Sequence, residues 1–132
     1  MIPGQYYHVY NRGINRQLIF FDEENYSYFL QQFTKYVSPF VDVYAYCLMP
    51  NHFHFFLRVK EIQIETKPYK LTIVEKSFKD FFISYAKSIN KRYERTGALF
   101  QYKFKRKEIE DMSYYTWLTY YIHVNPITAG LV

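Results

Sequence analysis

The stretch Leu48-Met49-Pro50-Asn51-His52-Phe53-His54-Phe55-Phe56-Leu57 constrains the fold more than any other part of the chain. It is apolar and aromatic after a turn signal at Met49-Pro50-Asn51, which predicts a strand over His52 to Val59. The run before it, Phe40 to Leu48 with Asp42 as the exception, predicts a second strand, and the two form an antiparallel hairpin. Side chains alternate across a strand, so His52 and His54 share one face and Phe53 takes the other. Their Cα atoms are then roughly 7 Å apart, close enough for both imidazoles to reach one metal ion. Two readings stand at this level. The histidines are either a pair of metal ligands on a rigid strand or two polar residues on the wet face of a half-buried one.

The flanking sequence completes a layered pattern. Gln5 to Arg12 reads as a strand, ended by the turn signal Asn11-Arg12-Gly13. Asp22 is an N-cap candidate for a helix to about Val37, with Tyr26, Phe29, Leu30, Phe33 and Val37 at helical spacing and Ser38-Pro39 closing it. Lys60 to Tyr69 is polar, contains Pro68 and reads as a loop. A second helix begins at Thr72 or Ser77 and runs to Tyr93, with Phe78, Phe81, Phe82, Tyr85, Ile89 and Tyr93 as its apolar stripe and Gly97 beyond it as a terminator. Phe100 to Ile109 alternates in part and predicts a fourth strand. A last helix is expected from Asp111 to just before Pro126, because a proline disfavours helical geometry at the preceding residue. The order β-α-β-β-α-β-α predicts an α+β fold: a ferredoxin-like antiparallel sheet with two helices on one face and a C-terminal helix added. At 132 residues the chain is read as one domain, 1–132.

Charge points to a partner. The formal net charge is +5, which favours an acidic ligand, with nucleic acid the first expectation. Lys87, Lys91, Arg92, Arg95, Lys103, Lys105, Arg106 and Lys107 fall in one short segment whose only acid is Glu94. Lys87, Lys91 and Arg95 are spaced four apart and share a helix face. Tyr85, Tyr93, Phe100, Tyr102 and Phe104 interleave with these cations, a mixture suited to holding a phosphate backbone while rings stack unpaired bases. The other reading is a solvated basic face over ordinary core aromatics. Arg12 and Gly13 form a strand-end turn that suits contact with a nucleic-acid hairpin. Cys47 is the only cysteine, so no intrachain disulfide forms, in keeping with a reducing cytosol. No signal peptide and no membrane partner are expected, since no run approaches the roughly 20 apolar residues of a span.

The C-terminal helix carries the third constellation. Tyr121 and Asn125 are four apart and lie on nearly one face if the last turn holds. A tyrosine hydroxyl can attack phosphorus, but an ordinary phenol, with a pKa near 10, is a weak nucleophile at neutral pH. A divalent ion on His52 and His54 would lower that barrier, and Asn125 could add its amide oxygen. Tyr120 is the rival nucleophile, one position off the asparagine spacing. With 16 tyrosines in the chain, any one of them is more often core or surface than catalytic. His8 reads as structural unless a neighbouring strand brings it to the metal, His123 as surface, and Trp117 and Leu118 as the contacts that seat the helix on the sheet. Cys47 is a remote candidate for a soft ligand.

Four segments in order resemble the HUH superfamily of single-tyrosine transposases, and within it the REP-associated tyrosine transposases (IS200-like). They are Tyr7-His8-Val9-Tyr10-Asn11-Arg12-Gly13, Leu48 to His54, Asn90 to Gln101, and Tyr121 to Val132, and together they span nearly the whole chain. The resemblance implies cleavage and rejoining of single-stranded DNA beside hairpins, with Mg²⁺ or Mn²⁺ and a 5′-phosphotyrosine intermediate. By motif position, Tyr121 matches the nucleophile, His52 and His54 the metal-binding pair, and Asn125 the polar residue four places on. Asparagine there, rather than the glutamine usual in the insertion-sequence branch, favours the REP-associated branch. The resemblance also implies a cytoplasmic, nucleoid-associated protein, either monomer or homodimer. The chain ends soon after the last motif, so longer relatives are expected to carry DNA contacts that this sequence lacks. Two other classes stay open: a non-catalytic module that stacks single-stranded nucleic acid, and a metal-dependent phosphate-ester hydrolase. A replication-initiation nuclease with the same histidine pair is a nearer cousin, but no helicase or primase domain is expected in these 132 residues, which weighs against it.

Overall fold

The computed structural model describes residues 1–61 and 72–128, the side chains of 125–128 excepted. Four strands, β1 (Tyr6–Arg12), β2 (Val41–Met49), β3 (His52–Val59) and β4 (Lys105–Ile109), alternate with helices α1 (Glu23–Tyr36) and α2 (Ile73–Arg92), and α3 (Met112–Thr128) follows β4. The sheet order is β2-β3-β1-β4, with every neighbouring pair antiparallel. This is the ferredoxin-like α+β arrangement that the element order predicts.

Local chemistry explains the boundaries. The Asp22 side chain accepts from the Glu24 amide, and Asn25 closes a capping box at the start of α1. Thr72 and Glu75 form the reciprocal box at α2, which settles its start at the earlier of the two expected positions. Asp111 accepts from the Tyr114 amide at 2.8 Å and caps α3. Gly13 sits where the chain turns so tightly that an added Cβ would fall 2.1 Å from the Gln17 carbonyl oxygen.

Period-two alternation then sorts β3 onto two faces. Phe53, Phe55, Leu57 and Val59 are buried against α1 and α2. Phe33 stacks on Phe55 at 4.5 Å between ring centroids, and Phe29 meets Phe53 at 5.4 Å. The opposite face carries Cys47, Met49, Phe56 and Ile109, covered by Leu118 and Ile122 of α3. The third helix therefore lies across the sheet from the other two, over the face that bears His52 and His54. Because Phe53 is fully buried, we expect Phe53→Ala to cost about 3–5 kcal/mol. Chemical denaturation reads this as a lowered midpoint, and a loss under about 1 kcal/mol would contradict the packing described.

Three expectations need correction. Only residues 105–109 of the expected fourth strand are strand; Phe100 makes one isolated bridge to Gly13. A regular strand would place Tyr102 between Phe100 and Phe104 on the core face. Instead Lys103 adopts φ 61°, the chain bends, and Tyr102 is 94% exposed while Phe100 and Phe104 pack on Phe82. The backbone of α3 continues through Pro126 to Thr128, since the residue before a proline is disfavoured in, not barred from, helical geometry. Leu118 seats that helix, but Trp117 is 49% exposed and lies along Tyr121 instead. Most of the loop expected over residues 60–69 lies outside the described residues.

Candidate active site

Register brings the motif residues together. His54 of β3 pairs with Tyr10 of β1 on one side and Cys47 of β2 on the other, and His8 lies diagonally beside it. His8 Nε2 and His54 Nδ1 are hydrogen-bonded at 2.9 Å, and His8 Nδ1 and Tyr114 Oη at 2.9 Å. Asn51 Oδ1 accepts from His52 Nδ1 at 2.8 Å. Each member of the pair thus has Nδ1 engaged by a neighbour. His54 Nε2 is buried and has no hydrogen-bond partner among the described residues, an arrangement that needs an explanation.

Tyr121 closes the far side. Its ring meets the His54 ring edge-on at 5.2 Å and stacks on Trp117 at 5.0 Å and 15°. His52, His54 and Tyr121 line a cleft of about 580 Å³ together with Arg12, Arg16 and Lys105. None of these three cations is in an ion pair with a described residue. The cleft therefore offers imidazole, phenol and positive charge to whatever enters it, a set suited to a phosphodiester.

Burial and neighbouring positive charge hold all three imidazoles neutral. Desolvation, then His8 and His52, push His54 down to about 3. Desolvation, then Lys107, lower His8 to about 4. His52 is lowered by burial and then by Arg12. An unfolded histidine takes up its proton near pH 6.5, so below that pH the unfolded chain binds protons that the folded one refuses. Stability is then full above about pH 6.5 and falls on acidification toward the folded values of about 4 and about 3. We expect a loss of about 1.5 kcal/mol for each of His8 and His54 between pH 6.5 and 5, read as a falling melting temperature. His54→Asn should flatten the slope; an unchanged slope would contradict this cause.

The residues singled out in the sequence are distributed as follows. Arg12 and Lys105 line the cleft. Arg92 is paired with Asp22 and Glu24 at 3.3 and 2.7 Å, and Arg106 faces the helix layer, 3.4 Å from Glu75. Arg95 donates to Gln17 Oε1 at 2.8 Å, and Lys107 sits 4.4 Å over the Tyr114 ring. Lys87, Lys91 and Lys103 are exposed. The basic segment is therefore spread over both sides of the sheet, and only part of it reaches the cleft. Tyr120 is 67% exposed and groups with Met112 and Thr116 away from the cleft. His123 is exposed and bonded to the Thr119 carbonyl at 2.6 Å. Cys47 is buried in the apolar cluster under α3, and burial raises its thiol pKa, which disfavours the thiolate a metal would need. Asn125 lies one turn beyond Tyr121 on helical backbone, and its side chain is outside the described ones. Arg16, which sequence reasoning passed over, reaches the cleft from a 3₁₀ turn in which Asn15 and Arg16 both have positive φ.

A REP-associated tyrosine transposase bound to a REP hairpin superposes with a TM-score of 0.75 at 15% identity, over 99% of this chain and 72% of that one. The two proteins share a fold. A protein from Deinococcus radiodurans R1, provisionally described as a transposase, superposes with a TM-score of 0.56 at 12% identity, over 91% of this chain and 90% of that one. No protein-family model matches the sequence. A search of curated proteins returns no significant match. Among the described residues, no helix is long and apolar enough to cross a membrane, and no group of three or more His, Cys, Asp and Glu side chains is arranged around a metal position.

Proposed function

We propose that this chain is a single-stranded DNA transposase or endonuclease that cuts and rejoins strands beside hairpins through a 5′-phosphotyrosine on Tyr121. The observation that carries the reading is the meeting of Tyr121, the unpartnered His54 Nε2 and three cations in one cleft. The fold shared with a transposase seen on a REP hairpin supports the substrate class.

Arg12, Arg16 and Lys105 bind the strand through its phosphates, and Arg guanidinium groups can grip two oxygens at once. Trp117 holds the Tyr121 ring in plane, which orients its hydroxyl toward the bound phosphate. Tyr121 Oη forms a bond to phosphorus, the bond to the 3′-oxygen breaks, the phenol proton passes to solvent, and the 3′-oxygen gains a proton on leaving. Because one phosphoester replaces another, the 3′-hydroxyl of a second strand can reverse the step without ATP. The imidazole pair fits a divalent cation: both Nδ1 atoms are engaged, and the His54 Nε2 has no other partner. Bound Mg²⁺ or Mn²⁺, held by His52, His54 and Asn125, would neutralise charge on the scissile phosphate during in-line displacement. Two neutral imidazoles and one amide make a weak site for a hard ion, so the strand's own oxygens are expected to complete it.

The test is incubation with labelled single-stranded hairpin oligonucleotides with and without Mn²⁺. A covalent protein–DNA band that needs Mn²⁺ is the expected result. Tight oligonucleotide binding with no band under any metal would favour the non-catalytic module.

A further inference from the structure

We propose that His8 and Tyr114 act as positioning residues that fix His54 with its proton on Nδ1, so that the Nε2 lone pair faces the cleft. The inference rests on reading His54 as a ligand in the proposed function. What it adds is the pair of side chains behind that ligand.

The geometry leaves two choices. Tyr114 Oη, His8 Nδ1, His8 Nε2 and His54 Nδ1 are linked by two bonds of 2.9 Å, and each bond holds one proton. The chain can run outward, with Tyr114 donating to His8 and His8 to His54, which leaves His54 with an N–H on Nε2. Or it can run inward, with His54 Nδ1–H donating to His8 and His8 Nδ1–H donating to Tyr114 Oη, which leaves a lone pair on Nε2.

The surroundings of His54 Nε2 select the inward direction. The cleft that His54 lines carries Arg12, Arg16 and Lys105, donors without acceptor capacity, and none of its acceptor-bearing residues (Tyr10, Asn11, Asn51, Gln101, Tyr121) hydrogen-bonds His54 Nε2. A buried N–H there has no partner and bears the full desolvation penalty, whereas a lone pair is attracted by the same charges. At the other end, Lys107 Nζ lies 4.4 Å over the Tyr114 ring, a contact open to either direction. His52 has the same tautomer for a local reason, because Asn51 Oδ1 can only accept. Both Nε2 atoms then present lone pairs. Tyr114 and Tyr121 are seven residues apart on α3, two turns along nearly one face. One helix thus carries both the anchor of the ligand and the proposed nucleophile.

The test uses the full-length chain without metal, labelled with ¹⁵N-histidine, with the His54 signals identified by their loss in His54→Gln. The expected spectrum shows His54 protonated on Nδ1 and bare on Nε2; an Nε2–H tautomer overturns the proposal. Mn²⁺ binding with a hairpin oligonucleotide present, followed by the EPR signal of the free ion against the oligonucleotide alone, supplies a second readout. His8→Leu should weaken it by about 10–100-fold. His8→Gln, whose amide oxygen can take the place of the Nε2 acceptor, should restore it to within a few fold. Equal loss in both variants overturns the proposal. Absence of Mn²⁺ binding by the unmodified protein and oligonucleotide together, beyond that of the oligonucleotide alone, would instead overturn the reading of His54 as a ligand, and the tautomer would still be decided by the ¹⁵N spectrum.

Discussion

Replacing Tyr121 by Phe should remove the covalent protein–DNA adduct, a fall of on the order of 10³-fold or more in strand cleavage. The change deletes one oxygen. Tyr121 Oη has no hydrogen bond among the described residues, and the ring contacts with His54 and Trp117 are kept. Stability should therefore stay within about 0.5 kcal/mol, and oligonucleotide affinity should hardly change. Gel analysis of the adduct beside a melting curve separates the two effects. The matched control is Tyr120→Phe, which should leave cleavage intact because that side chain is 67% exposed and away from the cleft. A Tyr121→Phe protein that still forms the adduct would refute the assignment.

Removing the imidazole pair should be nearly as costly to the chemistry and far less so to binding. In a His52→Ala, His54→Ala protein the cations Arg12, Arg16 and Lys105 remain, so oligonucleotide affinity should hold within about threefold at fixed salt. Adduct formation should drop by at least about 10²–10³-fold, with no rescue by added Mn²⁺. His54 is buried and bonded to His8, so its removal strands a polar partner at a cost of about 1–3 kcal/mol. His54→Gln, which keeps a polar side chain in that position, guards against mistaking unfolding for lost chemistry. Equal loss of binding and cleavage would place the histidines in DNA contact rather than in catalysis.

Much of this arrangement is legible in the sequence because it depends on local rules. The alternation through His52-Phe53-His54 needs only strand geometry, and β3 spans the residues that the apolar run predicts. Asp22 and Thr72 announce their helices by side-chain chemistry at fixed offsets. What was not legible depends on distant partners. Nothing near Tyr102 signals that Lys103 will bend the chain and leave that ring in solvent. Eight cations in one segment look like a single patch, yet strand alternation sends Lys105 and Arg106 to opposite faces, and Glu75, far upstream, captures Arg106. Arg16 reaches the cleft through left-handed backbone at two non-glycine residues, a conformation that propensity disfavours. His8 meets Tyr114 across 106 positions of sequence, which only the pairing of β1 with β3 and the seat of α3 make possible.

The central claim is that Tyr121 and the imidazole pair act on one phosphate. Its most direct test is to trap the adduct formed with a hairpin oligonucleotide and Mn²⁺, digest protein and DNA, and locate the nucleotide remnant by mass spectrometry. The account predicts a 5′-phosphate linked to Tyr121. A remnant on Tyr120 or on any other residue, or no adduct from a protein that binds the strand tightly, would contradict it.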